Sequence, residues 1–215
     1  MKNTITKLRG FTATLALYVR KKNFRALGRL LSQTLRSCLY RHIEYTVLAR
    51  SLDVPLPVAE SHLPVTFHFA EPDDLTHLRA RVSPYEFARM SKRLANGRMC
   101  TLALYQDRLI AYGWATREVK FDIDNLELQL EPGEAYIDDL YTFPAYRRQR
   151  IQIALHLQQL RYLQERGFKR SVAIVTANNT PSLKMFEKLG YRERGRLSFR
   201  RILLKRSYHY RNGRF

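Results

Sequence analysis

Apolar residues recur at the spacing of a helix along the first part of the chain. They form two stripes, Leu8, Phe11, Leu15 and Tyr18, and then Phe24, Leu27, Leu31, Leu35 and Cys38. Residues three or four apart lie on one face of a helix, and arginines fall between the members of the second stripe. Residues 1–52 are therefore predicted to form a basic, amphipathic helical extension. The prolines of residues 53–64 predict a linker that follows it.

The periodicity changes from residue 65 onwards, where short alternating stretches are separated by helical ones. Residues 65–69 alternate as in a half-buried strand. The capping box from Ser83 to Glu86, with proline at the first helical position, predicts a helix that ends at Gly97. The later pattern predicts a hairpin of 100–105 and 109–115, a strand at 135–143, a helix over 153–163, a strand at 171–176, a helix over 180–190 and strands within 191–202. Residues 65–215 are therefore predicted to be a mixed α/β domain with a βαβ crossover.

The charge of the chain is unevenly distributed. The 215 residues include 38 Lys and Arg and 19 Asp and Glu, so the net charge is +19. Residues 1–52 carry +10, residues 53–139 carry −6 and residues 140–215 carry +15. This pattern favours anionic partners and leaves one region attractive to cations, either as a binding surface or simply as a solvated one.

Several classes of protein are excluded by composition. No run of 18 apolar residues exists, which excludes a transmembrane helix. Two cysteines, Cys38 and Cys100, cannot build a disulfide scaffold and indicate a reducing compartment, so a cytoplasmic protein is expected. Both are predicted to be core residues. The six histidines lack the spacing of metal ligands, and no metal site is predicted.

The segment with the clearest chemistry is the turn from a strand into the long helix. The strand ends in Leu140-Tyr141-Thr142, and the chain then passes through Pro144 and three arginines into the helix. Main-chain N–H groups at a helix start are unpaired and lie at the positive end of the helix dipole, so this turn can hold a pyrophosphate. An ordinary connection with a solvated basic face is the alternative.

Two segments of this domain match one family when they are taken together. Pro144, Tyr146 and the loop Arg147–Gln152 follow the order Pro-x-Tyr-Arg and (Gln/Arg)-x-x-Gly-x-(Gly/Ala). About 27 residues later, Asn179-Thr180-Pro181-Ser182 precedes Leu189-Gly190-Tyr191. Over residues 65–205 the chain thereby resembles the GNAT superfamily of N-acetyltransferases, whose sheet is mixed and mostly antiparallel.

The resemblance implies an acyl donor, acetyl-CoA, between the fourth and fifth strands of the family fold. The main chain of Leu140, Tyr141 and Thr142 would pair with its pantetheine. Arg147 opens the pyrophosphate loop, whose amides come from Arg148, Gln149, Arg150, Ile151 and Gln152. Asn179 and Ser182 would lie near the thioester. The implied reaction is direct attack by a neutral primary amine, because an ammonium has no lone pair.

Asp138 and Asp139 are the candidates for the catalytic base that takes the proton of the amine. On an alternating strand they face opposite ways, so only one reaches the cleft. Members that resemble polyamine acetyltransferases carry an acidic residue in the place of Asp138, which favours Asp138 over Asp139. The alternative is that both are solvated charges at a strand end.

Three residues depart from the family pattern. Arg150 and Gln152 stand where the family loop has glycine, and glycine lets the main chain approach phosphate and adopt positive φ. Arg150 keeps the amide, and its side chain either clamps the phosphates or blocks them. Phe186 stands where many members have a tyrosine that acts as general acid, and it cannot donate a proton.

The sequence therefore predicts an N-acyltransferase that uses acetyl-CoA. The alternatives are a catalytically degenerate binding or regulatory module of the same fold, and a basic protein that binds a membrane surface or nucleic acid. Nucleic acid is disfavoured because no aromatic platform accompanies the charge. The acidic tract 118–139 suggests a cationic acceptor, a small-molecule or glycan amine, and residues 1–52 suggest peripheral contact with an anionic inner membrane face. A homodimer is left open.

Overall fold

The computed structural model describes residues 40–71, 74, 79, 82–117, 119–120, 127–128, 130–202 and 205–211. The two apolar stripes predicted within residues 1–39, including Cys38, lie outside these residues. So does most of the acidic tract between residues 118 and 129.

Ten strands and three α-helices make up the described chain. The strands are β1 (Tyr40–Ser51), β2 (Thr66–Phe69), β3 (Met99–Tyr105), β4 (Arg108–Thr116), β5 (Val119–Lys120), β6 (Glu127–Leu128), β7 (Glu134–Thr142), β8 (Arg170–Thr176), β9 (Arg192–Ile202) and β10 (Lys205–Arg211). The helices are α1 (Pro84–Ala95), α2 (Ile151–Glu165) and α3 (Thr180–Lys188).

Eight of these strands form one sheet in the order β10-β9-β1-β8-β7-β4-β3-β2. β4 pairs antiparallel with both β3 and β7, and β1 pairs antiparallel with β8. β7 and β8 are parallel, and α2 connects them. The predicted mixed α/β fold with a βαβ crossover is confirmed. A separate ribbon of two short strands, β5 and β6, lies between β4 and β7 in the sequence.

The predicted helical extension is wrong for residues 40–51, which form β1. β1 pairs with β8 from Tyr45 opposite Thr176 to Ser51 opposite Arg170. Its four consecutive residues 45–48 are all buried. A strand covered on both faces has no apolar–polar alternation, so its sequence lacks the usual mark of a strand. Residues 40–51 therefore belong to the sheet, not to an extension before it.

Contacts divide the chain into two compact units. The larger one comprises Glu44–Leu197 and Tyr210–Phe215. In the smaller one the described residues are 40–43, 198–202 and 205–209. There the His42 ring bonds to the Ser198 hydroxyl at 2.9 Å, and the rings of Phe199 and Tyr208 lie 5.0 Å apart.

The core of the larger unit lies on both faces of its sheet. Leu157, Leu160 and Leu163 of α2 pack against a cluster that includes Ala135 and Ile137 of β7. A second cluster contains Met90 of α1 and the fully buried Cys100 and Trp114, so the prediction that Cys100 is a core residue is confirmed. α2 is thereby fixed against the strand that carries the candidate site.

Helix α1 begins as predicted, at a capping box. The Ser83 side chain accepts a hydrogen bond from the Glu86 N–H, and the Glu86 carboxylate accepts one from the Ser83 N–H. These two bonds satisfy donors that have no partner inside the helix. α1 ends before Gly97, whose φ is +73°. The start of α1 is thus determined by adjacent residues of the chain.

Candidate functional site

The parallel ladder between β7 and β8 is short. It runs from Glu134 opposite Arg170 to Ile137 opposite Ala173, although both strands continue beyond these residues. On its other side, β7 stays paired with β4 as far as Thr142 opposite Ala111. The two parallel strands therefore part after Ile137, and the second half of β7 offers one edge that β8 does not occupy.

A bulge in β7 lies at the point where the strands part. The register with β4 shifts between Tyr112, opposite Tyr141, and Trp114, opposite Asp138. Asp139 has φ +48°, the left-handed region that residues with a side chain rarely adopt. A bulge adds one residue to a strand and turns its side chains. Because of it, Asp138 and Asp139 do not alternate as the regular strand predicts.

Both carboxylates instead meet arginines of α1 and of the turn after it. Arg93 donates hydrogen bonds to Asp139 Oδ2 at 2.9 Å and to Asp138 Oδ2 at 3.4 Å. Arg89 donates to Asp139 Oδ2 at 2.9 Å, and Arg98 Nη1 lies 3.8 Å from Asp138 Oδ2. The Arg93 and Asp138 side chains are each only 13% exposed. Both carboxylates therefore face arginines of the same segment, and they are paired with these arginines rather than solvated.

Sequence reasoning missed these three arginines. Arg89 and Arg93 are four residues apart on α1, so they share one face of that helix. This spacing was visible in the sequence, but it did not show which strand the face meets. Arg93 is further held by the Trp114 ring, whose centroid lies 5.3 Å from its guanidinium carbon. The arginine cluster, defined as Arg89, Arg93 and Arg98, outnumbers the two carboxylates.

The loop after β7 keeps the main-chain form that glycine normally supplies. Arg148 has φ +66° and Arg150 has φ +56°, and Arg150 is the N-cap of α2. Among the described residues no side chain caps α2, whereas Ser83 caps α1 and Asn179 caps α3. The first helical bond runs from the Ala154 N–H to the Arg150 carbonyl at 3.1 Å. The amides ahead of Ala154 therefore remain available to an anion.

Three contacts hold this loop in place. The His62 N–H donates to the Gln149 carbonyl at 2.9 Å, so the predicted linker crosses the loop. The Thr142 hydroxyl donates to Gln152 Oε1 at 2.8 Å, and Arg147 Nε donates to the Thr142 carbonyl at 3.1 Å. Gln152 thus fills the second glycine place with a side chain that ties the helix start to the strand end.

The other site residues predicted from the sequence line the same end of the sheet. Leu140 packs against the buried cluster under α2, and the Tyr141 ring stacks on Tyr112 with centroids 5.5 Å apart. The Asn179 side chain accepts a hydrogen bond from the Ser182 N–H at 3.3 Å, which commits it to capping α3. The ends of parallel strands lie at one edge of a sheet, so α3 begins beside the loop that starts α2.

Phe186, which replaces the family tyrosine, is a core residue. It is 3% exposed, and its ring packs edge-on against His156 and Tyr191 with centroids 5.4 and 4.8 Å away. His156 is fully buried, and burial lowers its pKa to about 4. Its Nε2 lies 2.8 Å from the Tyr191 hydroxyl, which is also bonded to Ser171 at 2.5 Å. The His156, Tyr191 and Ser171 side chains are thus hydrogen-bonded to one another inside the core.

The described carboxylates of the acidic tract are held by arginines. Glu134 accepts from Arg170 at 2.7 Å and from Arg194, and Glu131 accepts from Arg194 at 2.9 Å. Burial alone would raise the pKa of Glu134, but the hydrogen bonds from Arg170 and Arg194 outweigh it and keep the pKa below its usual value. The charges of Glu131 and Glu134 are therefore balanced by arginines, which weakens the argument that this tract attracts a cationic acceptor.

Among the described residues, no helix is long and apolar enough to cross a membrane. Within the same ranges, no group of three His, Cys, Asp or Glu side chains is placed to hold a metal ion.

Comparisons with known proteins concern the family and the fold of the chain. The sequence model of the acetyltransferase (GNAT) family matches residues 64–191. The fold is similar to that of a GCN5-related N-acetyltransferase from Sphaerobacter thermophilus, with TM-score 0.55 and 18% identity over 86% of this chain and 58% of that one. It is also similar to a Drosophila protein, with TM-score 0.53 and 12% identity over 82% and 57% of the two chains. The chain thus spans less than two thirds of the length of these structures. At such identities the likeness concerns the fold, and the family match over more than half of the sequence shows that the chain belongs to the GNAT acetyltransferase family.

Proposed function

We propose that this protein is an N-acyltransferase that takes acetyl-CoA as donor and a primary amine as acceptor. The observation that carries the proposal is the loop into α2. Two left-handed residues, Arg148 and Arg150, precede a helix without a side-chain cap, and they lie next to the point where β7 and β8 part. Free amides and a helix dipole suit a pyrophosphate, and an unpaired strand edge suits the amides of pantetheine.

The exposure of the Arg150 side chain supports the proposal. Arg150 is exposed, and among the described residues it makes no ion pair. The carboxylate of Asp138 is held instead by Arg93 and Arg98. The exposed side chains of Arg148 and Arg150 can contact phosphate oxygens from the loop, in addition to the amides.

In the proposed reaction the amine nitrogen attacks the thioester carbonyl carbon. A carboxylate takes the proton of the amine, the carbon–sulfur bond breaks, and the sulfur leaves as the thiolate, which is then protonated. We assign the base to Asp138, since its oxygen lies 3.4 Å or more from the arginines in contact with it. Asp139 is the second choice because two arginines donate to one of its oxygens at 2.9 Å.

Donor binding is tested by calorimetric titration of the full chain with acetyl-CoA and desulfo-CoA. Arg150→Gly and Arg150→Val remove the same charge, but only glycine fits φ +56° without strain. If the amides bind the donor, the glycine variant keeps affinity within about threefold and the valine variant loses roughly tenfold or more. Arg161→Gln, an exposed change on α2, is the control for charge. Equal losses in both Arg150 variants would contradict an amide cradle, and no binding to any form would leave a non-catalytic module.

The base is tested by release of free CoA thiol with spermidine, glucosamine or a dipeptide as acceptor. We expect Asp138→Asn to lower kcat roughly 100-fold or more while acetyl-CoA still binds. Asp139→Asn is the matched control, since it removes the same charge one residue away. If only Asp139→Asn abolishes turnover, the base is Asp139, and if neither does, no carboxylate of this pair is the base.

A further inference from the structure

We propose a second binding site in the larger unit, for a phosphate monoester that carries an apolar group. It is a cavity of about 710 Å³ at the end of the sheet where β4 ends and β7 begins. Its lining is completed by residues of the turn after α1, of the end of α2 and of the segment that follows α2. This volume is in the range of small-molecule sites.

The cavity is separate from the loop assigned to the acyl donor. That loop precedes the first residue of α2, Ile151, whereas the cavity is lined by Tyr162, Leu163 and Arg166 at the other end. A helix of 15 residues is ~22 Å long. One ligand of modest size cannot span both places.

The floor and the rim of the cavity differ in chemistry. Ala115, Ala135 and Leu163 of the lining are buried and Met99 is partly buried, which makes the floor apolar. Three arginines also line the cavity, Arg98, Arg117 and Arg166, and the exposure of the last two places them at its rim. An apolar floor under a cationic rim fits a molecule with a hydrocarbon part and an anionic head, since arginine pairs with phosphate through two parallel hydrogen bonds.

Two of the rim arginines are held by aromatic rings. Arg166 lies over the Tyr162 ring at 4.1 Å, and Arg117 lies over the Phe168 ring at 5.2 Å. Tyr162 is itself packed against Phe69 of β2, with ring centroids 4.0 Å apart. Stacking limits the rotation of a guanidinium and leaves its edge N–H groups free to donate. The rim is therefore arranged before any ligand arrives.

No described carboxylate neutralises these two arginines. Neither Arg117 nor Arg166 makes an ion pair within the described ranges. A neighbouring cavity of about 380 Å³ does bring Glu131 and Glu134 near them. Those carboxylates are bound by Arg170 and Arg194, at 2.7 Å for Glu134 and 2.9 Å for Glu131. Arg98 differs, since it also lies 3.8 Å from Asp138.

The test is calorimetric titration of the full chain with hexyl phosphate, methyl phosphate and inorganic phosphate at fixed ionic strength. We expect hexyl phosphate to bind at least about tenfold tighter than methyl phosphate, because burial of each methylene adds to affinity. Arg117→Gln and Arg166→Gln should each weaken hexyl phosphate roughly tenfold.

Two control variants locate the binding. Arg161→Gln removes an exposed charge from the same helix, and Arg148→Gln removes one from the donor loop; neither should change hexyl phosphate affinity. If Arg161→Gln weakened hexyl phosphate binding as much as Arg117→Gln and Arg166→Gln do, the binding would be non-specific attraction by a highly basic chain, and the site would be overturned. Loss only in Arg148→Gln would place the phosphate at the start of α2. Equal affinity for all three probes would rule out the apolar floor.

Discussion

Acid should destabilise this protein through His156 in particular. His156 Nδ1 lies 3.0 Å from Gln159 Oε1, so with that oxygen as acceptor Nδ1 carries the proton and Nε2 accepts from the Tyr191 hydroxyl. A second proton, on Nε2, would remove this acceptor in a fully buried position. Burial accordingly lowers the pKa of His156 from 6.5 to about 4. The unfolded chain therefore binds this proton at a higher pH than the folded one.

The sign and size of the effect follow from this difference in pKa. The folded state is not penalised above pH 6.5, and it loses stability as pH falls from 6.5 through about 4. At ~1.4 kcal/mol per pH unit, the free energy of unfolding falls by roughly 2–3 kcal/mol between pH 7 and pH 4.5 on account of this one group. Other groups titrate in the same range, so the contribution must be isolated by a variant.

Urea unfolding at pH 7 and pH 4.5 measures it, with the wild type, His156→Gln and His209→Gln compared. His209 is exposed and serves as the matched control. His156→Gln is expected to be less stable at pH 7, by about 1–2 kcal/mol, because the bond to Tyr191 is altered. Its loss of stability on acidification should be roughly 2–3 kcal/mol smaller than that of the wild type. Identical acid sensitivity in wild type and His156→Gln would refute the reasoning.

Three further outcomes are expected from urea unfolding at pH 7. Arg93→Gln should lower the free energy of unfolding by about 1–3 kcal/mol, because two half-buried carboxylates lose the guanidinium they share. Lys92→Gln, on the exposed face, should change it by less than ~0.5 kcal/mol. Similar values for both would mean that the pairing does not stabilise the fold. Gly113→Ala should lower the free energy of unfolding by about 1–3 kcal/mol, since its Cβ would stand 2.6 Å from Leu140 Cδ2. In the double variant, Leu140→Ala should recover part of that loss. Strictly additive effects of the two substitutions would contradict this explanation. Ser83→Ala should cost roughly 0.5–2 kcal/mol through loss of the α1 cap, and Ser83→Asp should largely preserve it.

The elements that the sequence predicts correctly are those with local marks. The capping box at Ser83 and the alternation of residues 65–69 depend on neighbours in the chain, and both α1 and β2 form there. The crossover from β7 through α2 to β8 follows from short-range periodicity and from the handedness of such units. These features could be predicted because a few adjacent residues determine them.

The predictions that are wrong depend on long-range contacts. β1 lies between β9 and β8 and has four consecutive buried residues, so both of its faces are covered. Its sequence therefore resembles the continuation of a helical stripe. The alternation expected for Asp138 and Asp139 is broken by a bulge, and a bulge is a property of two paired strands. The arginine cluster comes from α1 and the turn after it, 40 to 50 residues earlier, and no spacing within β7 indicates it.

The loop that we propose binds the donor shows how a motif can keep its shape without its usual residues. Glycine makes positive φ inexpensive, whereas Arg150 at +56° carries a cost of roughly 1 kcal/mol or more. The surrounding contacts can offset such a cost. The His62 N–H bonds the Gln149 carbonyl, and the Thr142 hydroxyl bonds Gln152, so the second glycine place now holds a side chain that fixes the loop. The linker and the strand end thus determine the loop together. Substitutions that remove the Thr142 hydroxyl should weaken donor binding, because Gln152 then loses the bond that fixes it.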